Sequence, residues 1–302
     1  MKILCTYIDM RNLNTNKNLS PEEKWDSLTF ANNFLFCRIL ESEPEICKRI
    51  LEMLLHIKIE RLEILQSELT IQVGLDSHSI RCDVYAKDEG RVFDIEIQTT
   101  NRSDLPKRAR YYQSAIDMDC LSRGEEYESL KDSYVIFLCL DDMFGKGLPA
   151  YFFENICAQD GKTKLGDGAY KVFFNASDYD KMGSDEERAF FKFLCGKAAE
   201  DDFTRIIEQK VARAKKNAGW RKYYMTWDQE IKHQRHMAFD EGKAEGLSEG
   251  REKGLSEGKI EAAKNLLKMN VLLPEQIAQA VGLSVEEISD LRNSLCAESL
   301  SV

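Results

Sequence analysis

Residues 79–100, SIRCDVYAKDEGRVFDIEIQTT, alternate apolar and polar side chains on both sides of the short segment KDEG. Alternation with a period of two is typical of strands that bury one face, and KDEG has the composition of a tight turn. The stretch therefore predicts a β-hairpin. If residues 88–89 or residues 87–90 form the turn, paired residue numbers sum to 177, and Asp83 lies directly opposite Asp94.

This pairing gives the hairpin one polar face and one apolar face. Because residues two apart share a face, four polar side chains project together: Asp83, Asp94, Glu96 and Gln98. The opposite face carries Val84, Phe93, Ile95 and Ile97. A three-residue turn would shift the register by one and send Asp83 to the apolar face unless a bulge restored it.

Carboxylates that are neighbours on adjacent strands can share a hard divalent cation such as Mg²⁺, which prefers oxygen ligands. A cation held in this way lowers the pKa of a bound water and stabilises charge on a phosphate. The same alternation is also that of an ordinary strand whose acidic face is solvated. The pattern alone leaves both interpretations open.

The rest of the chain predicts a mixed α/β core followed by helices. Residues 21–56 are helical in pattern, with Ser20 as the N-cap and Pro21 at the first position. The further predicted elements are a strand at 57–73, the hairpin, a helix at 104–124 capped by Asp104 and ended by Gly124, a buried strand at 133–140, strands within 149–157 and 169–176, and helices from 184 onward. This order is typical of helices packed on a central sheet.

Composition limits the class of protein. With 43% hydrophobic and 31% charged residues, the chain is typical of soluble globular proteins. No apolar run approaches the roughly 18 to 20 residues of a membrane span, and Asp9 and Arg11 interrupt the start too early for a secretory signal. Nine cysteines without a C-x-x-C pair favour reduced thiols and a cytoplasmic location. A net charge of −10 argues against indiscriminate coating of nucleic acid.

The arrangement of Asp83, Glu96 and Gln98 on consecutive strands, followed by the helix LPKRARYYQSAID, resembles the PD-(D/E)XK nuclease superfamily. It is most similar to the Rpn group of recombination-promoting nucleases, often labelled transposases. Further similar blocks are FANNFLFCRILESEPEICKRILEMLL, DSYVIFLCLDDMFGKGLPAYFFEN, LGDGAYKVFFNA and KKNAGWRKYYM. The resemblance covers most of residues 25–230 and implies a restriction-endonuclease-like core.

The resemblance also implies roles for individual residues. Asp83 and Glu96 would bind the metal, together with the backbone carbonyl of Ile97. Gln98 stands where the superfamily usually has lysine, so it can orient a water but brings no positive charge. Four residues are expected around these ligands: Asp94, Asn33, Tyr112 and Gln113. The helix that follows the hairpin would line the site with Arg108, Arg110, Tyr111, Tyr112 and Gln113. Asn32 and Asn33 stand where relatives often have Asp.

Two basic stretches could contact DNA. Residues 102–110 directly follow the metal-binding strand. Residues 204–222 hold seven basic residues and one acidic residue, a local charge of +6, with aromatic residues close by. The alternative for the second stretch is an amphipathic helix whose aromatic residues pack on the core. The DNA-binding candidates are Arg102, Lys107, Arg108, Arg110, Arg213, Lys216 and Arg221.

The C-terminal part of the chain predicts a linker and a small module. Glycines recur every four residues from 242 to 258, which favours a semi-flexible helical linker, with a dimerising helix as the alternative. Residues 274–295 have the rhythm of a helix-turn-helix, but the acidic second helix favours an interaction module over base reading. The predicted domains are a nuclease-like core at 1–183, a helical extension at 184–234, the linker at 235–270 and the module at 271–302.

The interpretation that combines these features is a cytoplasmic DNA endonuclease that uses Mg²⁺, or Mn²⁺ in its place, and is linked to recombination or mobile elements. The catalytic residues would be Asp83, Glu96 and Gln98. The expected partners are DNA and a second copy of the chain, joined through the C-terminal helices, with no membrane. The alternatives are a weak or inactive nuclease fold that binds DNA or a protein, and a nuclease that acts on RNA.

Overall fold

The computed structural model describes residues 19–71 and 80–299. The chain start that bears on a secretory signal lies outside these residues, as do positions 72–73 of the first predicted strand. No helix within 19–71 and 80–299 is both long and apolar enough to cross a membrane.

The N-terminal part of the chain forms three helices, α1 (Pro21–Ser27), α2 (Asn33–Ser42) and α3 (Pro44–Leu55). The predicted cap at Ser20 is confirmed, because its hydroxyl accepts from the Glu23 amide at 3.2 Å and the Glu23 carboxylate accepts from the Ser20 amide at 2.7 Å. The helical pattern predicted over residues 21–56 misses the break at residues 28–32. Asn32 caps the new helix there, which leaves Asn33 at its first position.

A mixed six-stranded sheet forms the centre of the fold. Its strands are β1 (Glu63–Ile71), β2 (Ile80–Lys87), β3 (Arg91–Gln98), β4 (Asp132–Cys139), β5 (Ala150–Phe153) and β6 (Ala169–Asn175), in the spatial order β1-β2-β3-β4-β6-β5. Strands β3, β4 and β6 are parallel, and the outer pairs are antiparallel. Helix α4 (Leu105–Cys120) connects β3 to β4. This is the predicted restriction-endonuclease-like α/β fold.

The hairpin register differs by two from the predicted one. Tyr85 pairs with Asp94, so paired residue numbers sum to 179, and residues 89–90 form the turn. The Asp88 carboxylate selects this turn by accepting from the amides of Gly90 (3.1 Å) and Arg91 (2.7 Å). A shift of two leaves every side chain on its predicted face but places Asp83 opposite Glu96 instead of Asp94.

Each face of the sheet is covered by a hydrophobic cluster. One cluster joins the sheet to helices α1 to α3, α5 (Asp185–Leu194) and α6 (Asp202–Lys215), and the other joins it to α4. Short 3₁₀ helices at Tyr127–Ser129 and Ala176–Lys181 connect the elements. Because β3 is central and covered on both sides, Asp94 and Glu96 lie in the protein interior.

The predicted helix after the hairpin is present but ends four residues before Gly124, at Cys120. Asp104 stands at its N-cap without a side-chain capping bond, because its carboxylate accepts from Arg102 at 2.7 Å instead. An ion pair with a neighbouring arginine thus replaces the expected cap.

The described residues divide into two compact units, with the boundary between Asp228 and Gln229. The second unit contains the greater part of helix α7 (Ala218–Met269), followed by α8 (Pro274–Val281) and α9 (Val285–Ser299). Its small core is formed by Ala263, Ile277, Ala278 and Ile288. The domain boundaries expected at 183, 234 and 270 remain predictions.

The glycines at 242, 246, 250, 254 and 258 all lie within α7, and no atom lies within 4 Å of a methyl group placed on any of them. We expect Gly246→Ala with Gly250→Ala to stabilise the helix by about 1 kcal/mol per substitution. Circular dichroism of the full chain should show greater helicity and a higher melting temperature. Gly282→Ala is the matched control and should destabilise the protein, because Gly282 has a φ of 66° at the end of α8. A lower melting temperature or a smaller oligomer in the double variant would instead indicate that the glycines contact another chain.

Candidate active site

The polar side chains of the hairpin meet where regular pairing between β2 and β3 ends. The last regular pair is Val84 with Ile95. Beyond it, the Asp83 amide donates to Oε1 of Glu96 (2.8 Å), and the Ile97 amide donates to Oδ2 of Asp83 (3.1 Å). Each carboxylate thus takes the place of a main-chain acceptor between the strands, which fixes both side chains at the same point.

Both carboxylates are almost completely enclosed. Asp83 is 5% exposed and Glu96 is 1% exposed. Asn33, at the first position of α2, donates from Nδ2 to Oδ1 of Asp83 at 2.5 Å. The break between α1 and α2 therefore places the predicted Asn33 directly against one of the two carboxylates.

Helix α4 contributes a cation to the same point. The Arg108 guanidinium donates to Oε2 of Glu96 and, at 3.3 Å, to Oε1 of Gln98. It lies over the ring of Tyr112, 4.9 Å from the centroid, and 5.6 Å from the ring centre of Phe137. Arg108, predicted to bind the DNA backbone, is therefore part of the carboxylate cluster, and Tyr112 supports it.

The Gln98 amide is largely occupied by other protein groups. Its nitrogen donates to the carbonyl of Thr100 (2.6 Å) and to the Thr100 hydroxyl (3.2 Å), and its oxygen accepts from Arg108. Both amide hydrogens are therefore used, and the oxygen keeps a lone pair. Gln98 can accept a hydrogen bond from a water but cannot donate one. The sequence interpretation missed Thr100, although a Gln two residues before a Thr is compatible with such a local bond.

Asp94 lies two residues before Glu96 on β3 and is fully buried. No hydrogen bond of ordinary geometry reaches either carboxylate oxygen, although the Cys82 thiol lies close enough to lower the pKa. Burial, reinforced by the charge of Asp83, raises the pKa of Asp94 to about 8. Burial and the charge of Asp83 also raise the pKa of Glu96 well above its usual value, and Arg108 opposes the shift. The cluster therefore contains three buried carboxyl groups beside the single positive charge of Arg108.

These residues fit a hard divalent cation. The N–H and C=O of one strand residue point to the same edge, so the Ile97 carbonyl faces the side of Asp83, to which its amide donates. Two carboxylates and a carbonyl are oxygen ligands of the kind that Mg²⁺ binds while keeping several waters. Within residues 19–71 and 80–299, no group of three or more His, Cys, Asp or Glu side chains forms a metal-binding cluster. The excess buried acid and the all-oxygen donor set favour Mg²⁺ over softer metals.

The remaining candidates lie elsewhere. Gln113 donates to the carbonyl of Ser133 (3.3 Å) and to its hydroxyl, so its described hydrogen bonds go to β4 and not to the carboxylates of the hairpin, and its place beside a metal stays a prediction. Ser133 is at the start of β4, and Glu96 pairs with Phe137, four residues further along that strand. Helix α4 runs from the end of β3 back to the start of β4, so Gln113 lies further from the carboxylates than Arg108 does. Lys107 and Arg110 are exposed on α4.

The other DNA-binding candidates are not on the elements that form the cluster. Arg102 is paired with Asp104 in the loop after β3. Arg213 and Lys216 are exposed at the end of α6, and Arg221 pairs with Glu22 of α1 at 3.6 Å. Of the nearby aromatic residues, Tyr224 is buried in the core, Trp220 and Trp227 pack against it, and Tyr223 is 48% exposed. The core-packing alternative therefore accounts for most of this aromatic group.

Comparison with known proteins agrees with the geometry. A family described as PD-(D/E)XK nuclease family transposase matches residues 30–189. No curated protein and no solved structure matches the chain. The matched stretch is more than half of the chain, and it contains the whole sheet together with Asn33, Asp83, Glu96, Gln98 and Arg108. The protein belongs to the PD-(D/E)XK nuclease family transposases.

Proposed function

We propose that the protein is a Mg²⁺-dependent endonuclease that hydrolyses phosphodiester bonds in DNA. The observation that carries this proposal is the interlocked pair of Asp83 and Glu96, held by reciprocal bonds at the opening of the hairpin. Membership of a nuclease family and the surplus of buried acid support it. A solvated acidic strand would instead keep its carboxylates exposed and separate.

Asp83, Glu96 and the Ile97 carbonyl would hold the cation, and Mn²⁺ accepts the same oxygen ligands. When bound, the metal supplies a water of lowered pKa and positive charge beside the phosphate. The free lone pair of the Gln98 oxygen accepts a hydrogen bond from the attacking water and so orients it. In hydrolysis the water oxygen forms the new P–O bond and releases a proton, while the departing sugar oxygen takes one up.

DNA is the proposed substrate because the helix that supplies Arg108 also carries exposed basic side chains. Lys107 and Arg110 are exposed on α4, and Arg102 lies in the preceding loop. Such cations bind the phosphate backbone without regard to sequence. One site cuts one strand, so cutting both strands requires either two visits or two copies of the chain. We assign the pairing of copies to the C-terminal helices.

The test is incubation of the purified chain with supercoiled plasmid in Mg²⁺, Mn²⁺, Ca²⁺ and EDTA. We expect nicked circles in Mg²⁺ and Mn²⁺ and intact plasmid in EDTA. Parallel reactions with single-stranded DNA and with RNA identify the substrate class. Cleavage of RNA alone would replace the substrate in this proposal, and intact nucleic acid in every arm would contradict hydrolysis.

A second function, binding of nucleic acid without cleavage, is favoured by one observation. All four oxygens of Asp83 and Glu96 already accept hydrogen bonds from the protein, and both residues are nearly inaccessible. A site closed in this way needs to open before a cation enters. Titration with Mn²⁺ separates the two functions, because a protein that only binds nucleic acid has no requirement for a cation at Asp83 and Glu96.

Asn33→Asp should make the fold depend on a divalent cation. The substitution replaces Nδ2 of residue 33 with a carboxylate oxygen, at a position 2.5 Å from Oδ1 of Asp83. In EDTA we expect a loss of about 1–3 kcal/mol, because a hydrogen bond is replaced by like charges, and in Mg²⁺ we expect most of it to be recovered. Thermal unfolding in EDTA and in Mg²⁺ measures the difference. Asn32→Asp is the matched control, because Asp caps α2 as well as Asn does. Equal metal dependence of the two variants would contradict a cation beside Asp83.

A further inference from the structure

We propose that Arg108 is a catalytic residue of this site: its guanidinium supplies the fixed positive charge that contacts the phosphate under attack, and Gln98 holds it in position. The inference rests on the proposed phosphodiester hydrolysis and assigns within it a role that the two strands do not provide. Strand β3 presents the neutral Gln98 at the open end of the cluster, and the cation arrives from helix α4 instead.

The position of Arg108 is fixed from three sides. It donates to Glu96 and to Gln98, and the ring of Tyr112 lies below it at 4.9 Å. Tyr112 is 8% exposed and belongs to the cluster between α4 and the sheet, so the surface under the guanidinium is rigid. A cation placed in this way loses little freedom when it engages a ligand, which is the condition for electrostatic stabilisation of a transition state.

The guanidinium is also reachable. The Arg108 side chain remains 22% exposed, whereas Glu96 beneath it is 1% exposed. A guanidinium carries five N–H donors, and Glu96, Gln98 and the Tyr112 hydroxyl engage three of them. The guanidinium therefore keeps N–H donors for a phosphate oxygen while Glu96 and Gln98 hold it in place. Arg108 therefore stands between the buried carboxylates and an approaching phosphate.

The charge of the cluster requires such a group. Asp83 and Glu96 are buried acids that would be anionic as metal ligands, and an incoming phosphodiester adds a further negative charge. As the water attacks, negative charge grows on the phosphoryl oxygens, and planar guanidinium groups match this geometry with paired N–H donors. Lys107 and Arg110 are exposed on other faces of α4 and suit the neighbouring backbone phosphates. The geometry thus separates one catalytic cation from two binding cations on the same helix.

Arg108 has a second measurable property, because it occupies one oxygen of a proposed metal ligand. Its guanidinium donates to Oε2 of Glu96, so it competes with a divalent ion for the same carboxylate. Removal of the guanidinium should leave Glu96 more available. Metal affinity is thus a readout that needs no substrate, and loss of a merely structural contact would not increase it.

The experiment compares Arg108→Gln, Arg110→Gln and the exchange variant Gln98→Lys/Arg108→Gln with the wild type. Gln98 and Arg108 are in contact, so a lysine at 98 returns a positive charge to about the same point. Steady-state cleavage of a labelled DNA duplex in Mg²⁺ gives kcat and KM, and calorimetric titration with Mn²⁺ alone gives metal affinity. Circular dichroism melting establishes that each variant is folded, and Arg108→Lys provides a variant that keeps the charge if Arg108→Gln does not fold.

We expect Arg108→Gln to lower kcat by about 10²–10³-fold with little change in KM. Its affinity for Mn²⁺ should rise several-fold, and the exchange variant should recover at least a tenth of the wild-type kcat. Arg110→Gln should raise KM and leave kcat and metal affinity unchanged. An Arg108→Gln enzyme with wild-type kcat, or one altered only in KM, overturns the assignment while leaving the hydrolytic function intact. Wild-type protein that cleaves nothing overturns the proposed function, and the assignment with it.

Discussion

Asp83→Asn and Glu96→Gln are each expected to lower the cleavage rate in Mg²⁺ by about 10³-fold or more, since each would remove an anionic ligand from the proposed cation-dependent hydrolysis. The amide variants keep the size of the side chains while they remove the charge. Each also turns an N–H group toward a donor, because both oxygens of each carboxylate accept hydrogen bonds. Cleavage of plasmid and the free energy of unfolding should therefore be measured on the same samples.

The matched control is Glu89→Gln, an exposed carboxylate in the turn of the same hairpin. It should leave both cleavage and stability unchanged. If the two ligand variants remain folded and cut as fast as the wild type, the cation is held elsewhere. If they lose cleavage and also bind Mn²⁺ more weakly in calorimetry, the chemistry belongs to the opening of the hairpin.

The second large effect concerns pH and Asp94. In the folded protein burial raises the pKa of Asp94 to about 8 from the ordinary value of 3.8. Between these values the folded state holds a proton that the unfolded state has released, so stability falls as pH rises. From pH 5 to pH 8 this amounts to about 4 kcal/mol in the absence of metal. Glu96, whose pKa is also raised by burial, acts in the same direction.

Asp94→Asn removes one of these two titrations. The variant should be about as stable as the wild type at pH 5 and clearly more stable at pH 8, because Asn resembles the protonated acid. Urea unfolding in EDTA from pH 5 to pH 9 measures the two curves. Asp160→Asn is the control, since hydrogen bonds from Thr163 and from the Lys162 amide lower the pKa of Asp160 to about 2 and place its titration below this range. Parallel curves for wild type and Asp94→Asn would show that Asp94 is not titrating in this window.

The sequence alone is sufficient to predict which face of the hairpin carries the site residues. Alternation with a period of two groups Asp83, Asp94, Glu96 and Gln98 whatever the exact turn, provided that the register changes by an even number. The predicted register was wrong by two, and the grouping survived for this reason. The turn itself could not be chosen from the pattern, because it depends on two hydrogen bonds made by the Asp88 carboxylate.

The local sequence pattern does not predict which residues of α4 contact the sheet. Arg108, Tyr112 and Gln113 are all polar or aromatic residues on one helix, and their spacing does not show which of them faces the end of β3. The packing of Ala109 and Tyr112 on the sheet decides it, placing Arg108 against Glu96 and Gln113 against Ser133. The family resemblance implied the metal ligands and placed Arg108 and Gln113 alike along the site, without showing which of them contacts Glu96.

The depth of Asp94 was equally hidden. An acidic residue in an alternating strand predicts a solvated side chain, and nothing in the local pattern indicates that α4 covers this face. Coverage follows from the parallel crossover between β3 and β4, which places a helix over the strands it connects. A long-range feature of the topology thus turns an ordinary acid into one with a strongly raised pKa.

The opening of the hairpin has a consequence for spectroscopy. The amide protons of Asp83 and Ile97 point at carboxylate oxygens instead of peptide carbonyls. The resonance of an amide hydrogen-bonded to a carboxylate responds to the charge on that group. In a ¹⁵N–¹H correlation spectrum these two signals would move when a cation enters or a proton leaves, with no substrate present. The backbone amides of Asp83 and Ile97 therefore report directly on the charge of the two carboxylates.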